Sequence, residues 1–268
     1  MINSLKYAII ANIANFNPVY YDVHNEDKLI AYCTKNGFTH LPSKDKKTIY
    51  KLENNRFVKK QLEDVYQVNA SDFIFDTSTI KKFEEPNYNE IRFIVEKDKI
   101  KGIVHIVDYN NVYISIELFK ALLQFESNLR QLLIDHDLDN EDFISWVREK
   151  ASKTNEYFWE NKLNQLEYRR NQMKYANLFQ TFSFRDLLNF ANNTNILRLS
   201  EAEIDDVSDV RNSLAHNRDV TSHINDNGAI VYDFVGLKIF TEKMRSFFNT
   251  YEVVADKVAK ELSVTCFL

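Results

Sequence analysis

The spacing of apolar residues changes near residue 112, and beyond that point it follows the period of helices. Apolar positions recur there every three or four residues, as on a helix that buries one face. The pattern predicts helices over 114–136, 142–150, 155–175, 183–192, 200 to about 216, and 234–262. In the first of these helices we expect the residues of the apolar stripe to face the core: Ile116, Phe119, Leu122, Leu123, Leu129, Leu132 and Leu133. This part of the chain is therefore expected to form a helical bundle.

The first part of the chain instead carries short runs rich in β-branched and aromatic residues. These runs predict strands over 49–52, 91–95 and 103–107, with short helices over 26–36 and 77–83. Turn signals separate them at Asn36-Gly37, at 85–87, and at 97–99. The fold class that we expect is α+β, with an α/β domain over 1–112 followed by an all-α domain over 113–268.

Composition excludes several classes of protein. The 268 residues are 44% hydrophobic and 13% aromatic, which excludes a disordered chain, and only 4 Gly and 3 Pro argue against a Gly-rich sandwich or barrel. A net charge of −5 excludes a broadly basic duplex binder but leaves room for a local basic site. The cysteines, Cys33 and Cys266, form no disulfide framework and no zinc pattern. The N-terminal segment matches a signal peptide poorly, and no apolar run is long enough to span a membrane. We therefore expect a cytoplasmic protein with no membrane contact.

Two segments of the first part carry a family resemblance. Residues 36–42 precede a predicted strand pair, and residues 93–108 have the pattern of strand, turn, strand and helix start. Together they resemble a tandem pair of cystathionine β-synthase (CBS) domains. The resemblance implies a regulatory adenine-type nucleotide, with Asp108 of Gly102-x-x-His105-x-x-Asp108 on the ribose and His105 in place of a hydroxyl residue. The first of the two CBS-like domains lacks this pattern. The alternative is a degenerate pair that serves only as a dimerisation platform.

A polar cluster lies near the end of the predicted helix that begins at Ser200, where Ser200 and Glu203 have the spacing of a capping box. Positions four apart stack on one helix face, which aligns Asn212 with His216 and Arg211 with Ala215. An apolar stripe occupies the opposite face, made of Val207, Val210 and Leu214. One face is therefore expected in the core, while the other presents a cation, an amide and an imidazole.

The segment 210–217, with its Arg211-Asn212-x-x-x-His216 pattern, resembles the HEPN superfamily (higher eukaryotes and prokaryotes nucleotide-binding) over about residues 113–262. Glu126 and Arg130 match the opening helix of many members. The resemblance implies a homodimeric, metal-independent endoribonuclease in which Arg211 and His216 are the catalytic pair, assisted by Asn212. Arg218 stands where toxins paired with nucleotidyltransferase antitoxins carry a tyrosine, so control by adenylylation is not expected. We count Glu126, Arg130 and Arg218 as supporting or RNA-binding residues.

These residue types suit RNA cleavage. RNA supplies its own nucleophile, the 2′-hydroxyl, so no metal or other cofactor is required. Imidazole titrates near neutral pH and can take or give a proton, and a guanidinium can hold the phosphate. The expected products are a 2′,3′-cyclic phosphate and a 5′-hydroxyl. The polar run 167–174 is typical of a solvated helix face and offers local basic surface for an RNA groove.

The hypothesis is a ribonuclease of bacterial defence or stress, regulated by a nucleotide. The first alternative is a non-catalytic, nucleotide-responsive protein that uses the helical domain for RNA docking or dimerisation. The second is a structural partner in a larger complex. At the level of single residues, Arg211 and His216 have a simpler reading, since cations near a helix end offset the helix dipole.

Overall fold

A computed structural model describes residues 4–84, 91–154, 156–173, 179–180, 182–216, 218–224 and 226–265. The fold is mixed α+β. The chain forms two compact units, Met1–Leu118 with Ser213–Glu242, and Phe119–Asn212 with Lys243–Leu268. The predicted domain limits, 1–112 and 113–268, stay a prediction.

The first unit contains two three-stranded sheets. Helix α1 (Glu26–Asn36) ends at Gly37, whose φ of 70° gives the left-handed conformation that favours glycine at this position. Strands β1 (His40–Pro42), β2 (Thr48–Glu53) and β3 (Arg56–Gln61) then form an antiparallel meander. In the second sheet, β4 (Gln67–Val68) lies parallel to β5 (Ile91–Glu96), which pairs antiparallel with β6 (Lys99–His105), and helix α2 (Thr77–Lys81) lies between β4 and β5 in the chain.

The two sheets share one hydrophobic core. Side chains from both sheets and from the turn before β4 are buried together: Ile49, Tyr66, Ile91, Phe93 and Ile100. The backbone N–H of Ile100 also donates to the carbonyl of Lys46, at 2.7 Å. Neither three-stranded sheet covers its own apolar face, so this common core stabilises both.

The strand predictions are confirmed with one correction. Strands β2 and β5 contain the predicted runs 49–52 and 91–95. The predicted strand 103–107 is wrong at its end, because β6 stops at His105 and a 3-10 turn follows over Ile106–Asn110. Helix α2 ends at Lys81 rather than at residue 83. The predicted turn at 85–87 lies outside the described residues.

Helices dominate the second unit, which contains the later part of α3 (Val112–Asp135), then α4 (Asn140–Thr154), α5 (Tyr157–Met173), α6 (Phe184–Asn193), most of α7 (Glu201–Ala215) and the later part of α8 (Phe234–Thr265). These bounds confirm the predicted helices, although residues 155, 174 and 175 lie outside the described ranges. The prediction of helices alone after residue 113 is wrong in one place. Strands β7 (Ser222–Ile224) and β8 (Ile230–Tyr232) form an antiparallel hairpin, and Asp226-Asn227-Gly228 lies in the turn between them.

The core of the second unit is aromatic. Phe125 of α3 is fully buried, and its ring centroid lies 5.1 Å from that of Phe184 and 5.7 Å from those of Phe247 and Tyr251. A second aromatic group surrounds Phe143, which stacks on Phe182 at 3.8 Å. The Phe143 ring also lies 5.2 Å from that of Phe190 in α6, so these contacts join α3, α4, α6 and α8.

The predicted core face of α3 is partly wrong. Leu122, Leu129, Leu132 and Leu133 are buried as expected. Ile116, Phe119 and Leu123 are exposed, although they have the same helical period. Part of the apolar face of α3 is therefore left exposed to solvent.

Candidate functional site

Helix α7 carries the predicted catalytic motif, and its start is capped as expected. The Ser200 hydroxyl and backbone N–H both donate to a Glu203 carboxylate oxygen at 2.8 Å, and the Glu203 N–H donates back to the Ser200 hydroxyl at 3.3 Å. Val207 and Val210 are fully or almost fully buried, and Leu214 is half-buried. The apolar stripe of the motif helix therefore faces protein, as the sequence predicts.

Contacts with α8 hold α7 within the second unit. The Lys243 ammonium lies 2.7 Å from an Asp209 carboxylate oxygen, and the Ser246 hydroxyl donates to Asp206 at 2.8 Å. Both acids lie on the turns directly before Arg211. These contacts fix the rotation of α7 about its axis and so decide which way the motif residues face.

Arg211 and Asn212 form the last residues of α7 in the second unit. Arg211 is half-buried, Asn212 is exposed, and the guanidinium Nη1 donates to the Asn212 side-chain oxygen at 3.5 Å. An amide that contacts the guanidinium limits its rotation and leaves its remaining N–H donors for a ligand. A half-buried guanidinium with unused donors is suited to hold a phosphate.

His216 lies in the first unit, in the turn directly after α7 ends at Ala215. Its imidazole is exposed. Asn217 lies outside the described residues. The exposed Arg218 donates its backbone N–H to the carbonyl of Ser213 at 2.9 Å, which closes the turn around His216.

The segment after the motif is anchored at Thr221, which is fully buried in the first unit. The Asn110 side chain donates to the Thr221 hydroxyl at 2.8 Å and accepts from its backbone N–H at 3.1 Å. Gly236 approaches the same point so closely that a Cβ there would lie 2.0 Å from the Thr221 carbonyl oxygen. These contacts fix the position of Thr221 within the first unit.

Glu126 and Arg130 form an ion pair on α3, with Arg130 Nη2 lying 2.5 Å from Glu126 Oε1. Arg130 Nε also donates to the carbonyl of Phe179 at 3.4 Å. Both side chains are about a quarter exposed. Within the second unit this pair joins α3 to the segment before α6, and a supporting role in RNA binding stays a prediction.

His105 and Asp108, the predicted nucleotide-binding pair, contact each other's backbone in a capping box. The His105 N–H donates to Asp108 Oδ2 at 2.7 Å, and His105 Nδ1 accepts from the Val107 N–H at 3.2 Å. This capping box starts the 3-10 turn and is the physical reason why β6 ends at His105. Burial raises the pKa of the Asp108 carboxyl to about 6.

Replacing Asp108 by Asn is expected to stabilise the protein at neutral pH. Since the ordinary pKa is 3.8, the folded protein keeps this proton between about pH 4 and 6, where the unfolded chain has lost it. The cost of the buried charge is therefore fully present above pH 6 and disappears as the pH falls to 4. We expect Asp108→Asn to raise the free energy of unfolding by about 1–2 kcal/mol at pH 7.5, and by nearly nothing at pH 4.

Urea unfolding of the wild type and variant at each pH measures this difference. His40, whose pKa burial lowers to about 4, titrates in both proteins and cancels. Asp226→Asn, in the exposed turn of the β7–β8 hairpin, is the matched control and should change nothing. A constant effect of Asp108→Asn from pH 4 to 7.5 would show that burial of its charge is not the cause.

A further pair in the first unit was missed by sequence reasoning. His223 Nδ1 lies 3.3 Å from Asp233 Oδ1, and the same oxygen accepts the Gly236 N–H at 3.1 Å near the start of α8. The two residues are brought together by the β7–β8 hairpin. No spacing rule signals such a pair, because it depends on strand register rather than on helical period.

Other features of the described residues bear on ligands. Cys33 is buried, and burial raises the pKa of its thiol to about 11, while Cys266 lies outside the described residues. Within the described ranges, no group of three or more His, Cys, Asp or Glu side chains is placed to hold a metal ion. None of the described helices combines the length and the apolar character needed to cross a bilayer.

Comparisons with known proteins add no family. Neither a protein-family model, nor a curated protein, nor a solved structure matches this chain. Functional interpretation therefore depends on the chemistry of the residues described above.

Proposed function

We propose that the protein is a metal-independent endoribonuclease of the HEPN type, acting as a homodimer in bacterial defence or stress. One observation carries the proposal: α7 buries most of its apolar stripe and has Arg211 and Asn212 in its last turns, and the exposed His216 follows directly after the helix. A guanidinium and an imidazole five positions apart in sequence are the residue types that this reaction needs.

In this reaction the 2′-hydroxyl of the substrate attacks the adjacent phosphorus, and the bond to the 5′-oxygen breaks. His216 takes the proton from the nucleophile or gives one to the leaving 5′-oxygen, and solvent water exchanges the proton with the other oxygen. Arg211 binds the phosphate and stabilises the charge that develops on its oxygens. Asn212 holds the guanidinium of Arg211 in position, as its 3.5 Å contact indicates.

We further propose that an adenine-type nucleotide regulates this activity through the first unit. The strand–helix–strand–strand order from β4 to β6, with β4 parallel to β5, supports a CBS-like arrangement. Since His105 and Asp108 hydrogen-bond to the local backbone, a ribose would have to compete with the capping box. A nucleotide can activate the enzyme only if it binds the active arrangement more tightly than the inactive one.

A second candidate, a non-catalytic dimerisation or docking protein, has one observation in its favour. Phe119 and Leu123, one turn apart on α3, are each 53% exposed, which is typical of a protein interface. An interface of this kind is also compatible with a homodimeric enzyme, so only an assay of cleavage separates the two.

The test is cleavage of labelled single-stranded RNA by the purified protein in EDTA, with and without a panel of adenine nucleotides. We expect cleavage without a metal, and a loss of at least about a hundredfold in Arg211→Ala. Arg148→Ala is the matched control, because Arg148 is exposed on α4 and pairs with Glu167. No cleavage under any of these conditions would favour the docking protein instead.

A further inference from the structure

Helix α5 and the start of α6 form an open groove in the second unit, with a cavity volume of about 470 Å³. Seven residues of α5 line it: Tyr157, Phe158, Asn161, Lys162, Gln165, Leu166 and Arg169. They recur every three or four residues and so share one face of the helix. Ser183, which caps α6, and Asp186, in its first turn, line the other side.

Aromatic rings on this face are open to solvent. Tyr157 is 77% exposed and Phe158 60% exposed, and Tyr168, which is on the same helix but does not line the groove, is 85% exposed. Large apolar side chains are costly to leave in water, and a row of them marks a binding surface. Flat rings that alternate with polar residues are suited to stacking against the bases of a nucleic acid.

The charge of the groove has the sign opposite to that of the whole chain. Lys162 Nζ lies 5.3 Å from the Phe158 ring centroid and 5.7 Å from that of Trp159, and it pairs with Asp186. Arg169 is exposed and makes no ion pair with another described residue. Two cations and one carboxylate give the lining a net charge of +1, in a protein whose net charge is −5.

We propose that this groove binds single-stranded RNA, with an unstacked base on Phe158 or Tyr157 and a neighbouring phosphate on Arg169. The occupant is RNA because the inference rests on the proposed function, and none of the residues that line the groove belongs to the cleavage motif. The amides of Asn161 and Gln165 both donate and accept, so they can pair with the edges of any base. A duplex is not expected to bind here, because its stacked bases cannot reach the rings.

The test is binding without cleavage. A fluorescein-labelled 2′-O-methyl oligonucleotide has no free 2′-hydroxyl, so the proposed reaction cannot consume it, and fluorescence anisotropy gives its Kd. We expect Phe158→Ala and Tyr157→Ala each to weaken binding about fivefold or more. Arg169→Ala should reduce the slope of log Kd against log salt by about 0.7, the value for one phosphate contact on a single strand.

Matched controls separate this surface from general effects. Tyr32→Ala removes an exposed aromatic side chain from α1, and Lys238→Ala removes an exposed cation from α8. Both should bind like the wild type, and an unlabelled duplex of the same sequence should not compete. Trp159 adjoins the Lys162 ammonium, so binding should also quench tryptophan fluorescence in the wild type and less in Phe158→Ala.

The possible outcomes are distinct. Unchanged Kd in Phe158→Ala, Tyr157→Ala and Arg169→Ala overturns the proposal. A change in oligomeric state with unchanged Kd also overturns it and makes the face a protein interface. If the wild type binds through these residues but cleaves no RNA, the groove assignment stands and the ribonuclease proposal fails. If the wild type cleaves RNA while the groove variants bind it normally, the ribonuclease proposal stands and the groove assignment fails.

Discussion

His216→Ala is expected to lower the rate of RNA cleavage by about 10²–10⁴-fold, the usual contribution of a general acid or base. The exposed imidazole is the proposed proton-transfer group of the motif, and alanine leaves nothing in its place that can carry a proton. Because the side chain is exposed, the variant should unfold at the same urea concentration as the wild type. Initial rates on labelled single-stranded RNA in EDTA measure the effect.

His136→Ala is the matched control for this variant. His136 is also an exposed histidine in the turn after a long helix, α3. The His136→Ala variant should cleave RNA at the wild-type rate. If His216→Ala and His136→Ala cleave equally well, the catalytic assignment of His216 is wrong. A loss of rate together with a loss of stability would instead point to a structural role for the side chain.

Phe125→Ala is expected to lower the free energy of unfolding by about 3–5 kcal/mol, as large-to-small changes of buried aromatic residues do. The ring is fully buried among Phe184, Phe247 and Tyr251, so its removal leaves a cavity at the point where three helices meet. Urea unfolding followed by circular dichroism measures the change.

Phe119→Ala provides the comparison on the same helix. Its ring is 53% exposed, and we expect a change within about 0.5 kcal/mol. The apolar stripe predicted from the sequence included Phe119 and not Phe125, whereas the structure exposes the first ring and buries the second. Equal destabilisation by the two substitutions would contradict the placement of the core described here.

Helices were predictable because helical period is a local signal. The start of α7 could be placed from Ser200 and Glu203, since a capping box depends only on residues three apart. Exposure of Ile116 and Leu123 could not be predicted, because period shows which residues share a face but not which neighbour covers it.

The strands were harder to predict, since pairing depends on residues far apart in the chain. The β2–β3 hairpin turns at Asn54 and Asn55, which both have positive φ, at 50° and 59°. The turn lacks the glycine that usually identifies such hairpins, so the predicted strand pair after residue 42 had bounds for its first strand only. The end of β6 was missed for a different reason: the run 103–107 is apolar throughout, and the capping box of His105 and Asp108 stops the strand inside it.

The candidate site was predictable to the same extent as the helix that carries it. Arg211, Asn212 and His216 are close in sequence, so pattern alone groups them. The α5–α6 groove and the His223–Asp233 pair each need residues from two elements, and the sequence gives no measure of their separation. The contact of Arg211 with Asn212 was likewise not predicted, although the residues are adjacent.

The central claim is that the substrate's own 2′-hydroxyl is the nucleophile and that no metal takes part. The most direct measurement compares an RNA oligonucleotide, once its cleavage position has been mapped, with the same oligonucleotide carrying 2′-deoxyribose at that position, both in EDTA. We predict a 2′,3′-cyclic phosphate and a 5′-hydroxyl from the first and no cleavage at that position in the second. Cleavage of the deoxy substrate at the same position, or products with 3′-hydroxyl and 5′-phosphate ends, would contradict the account.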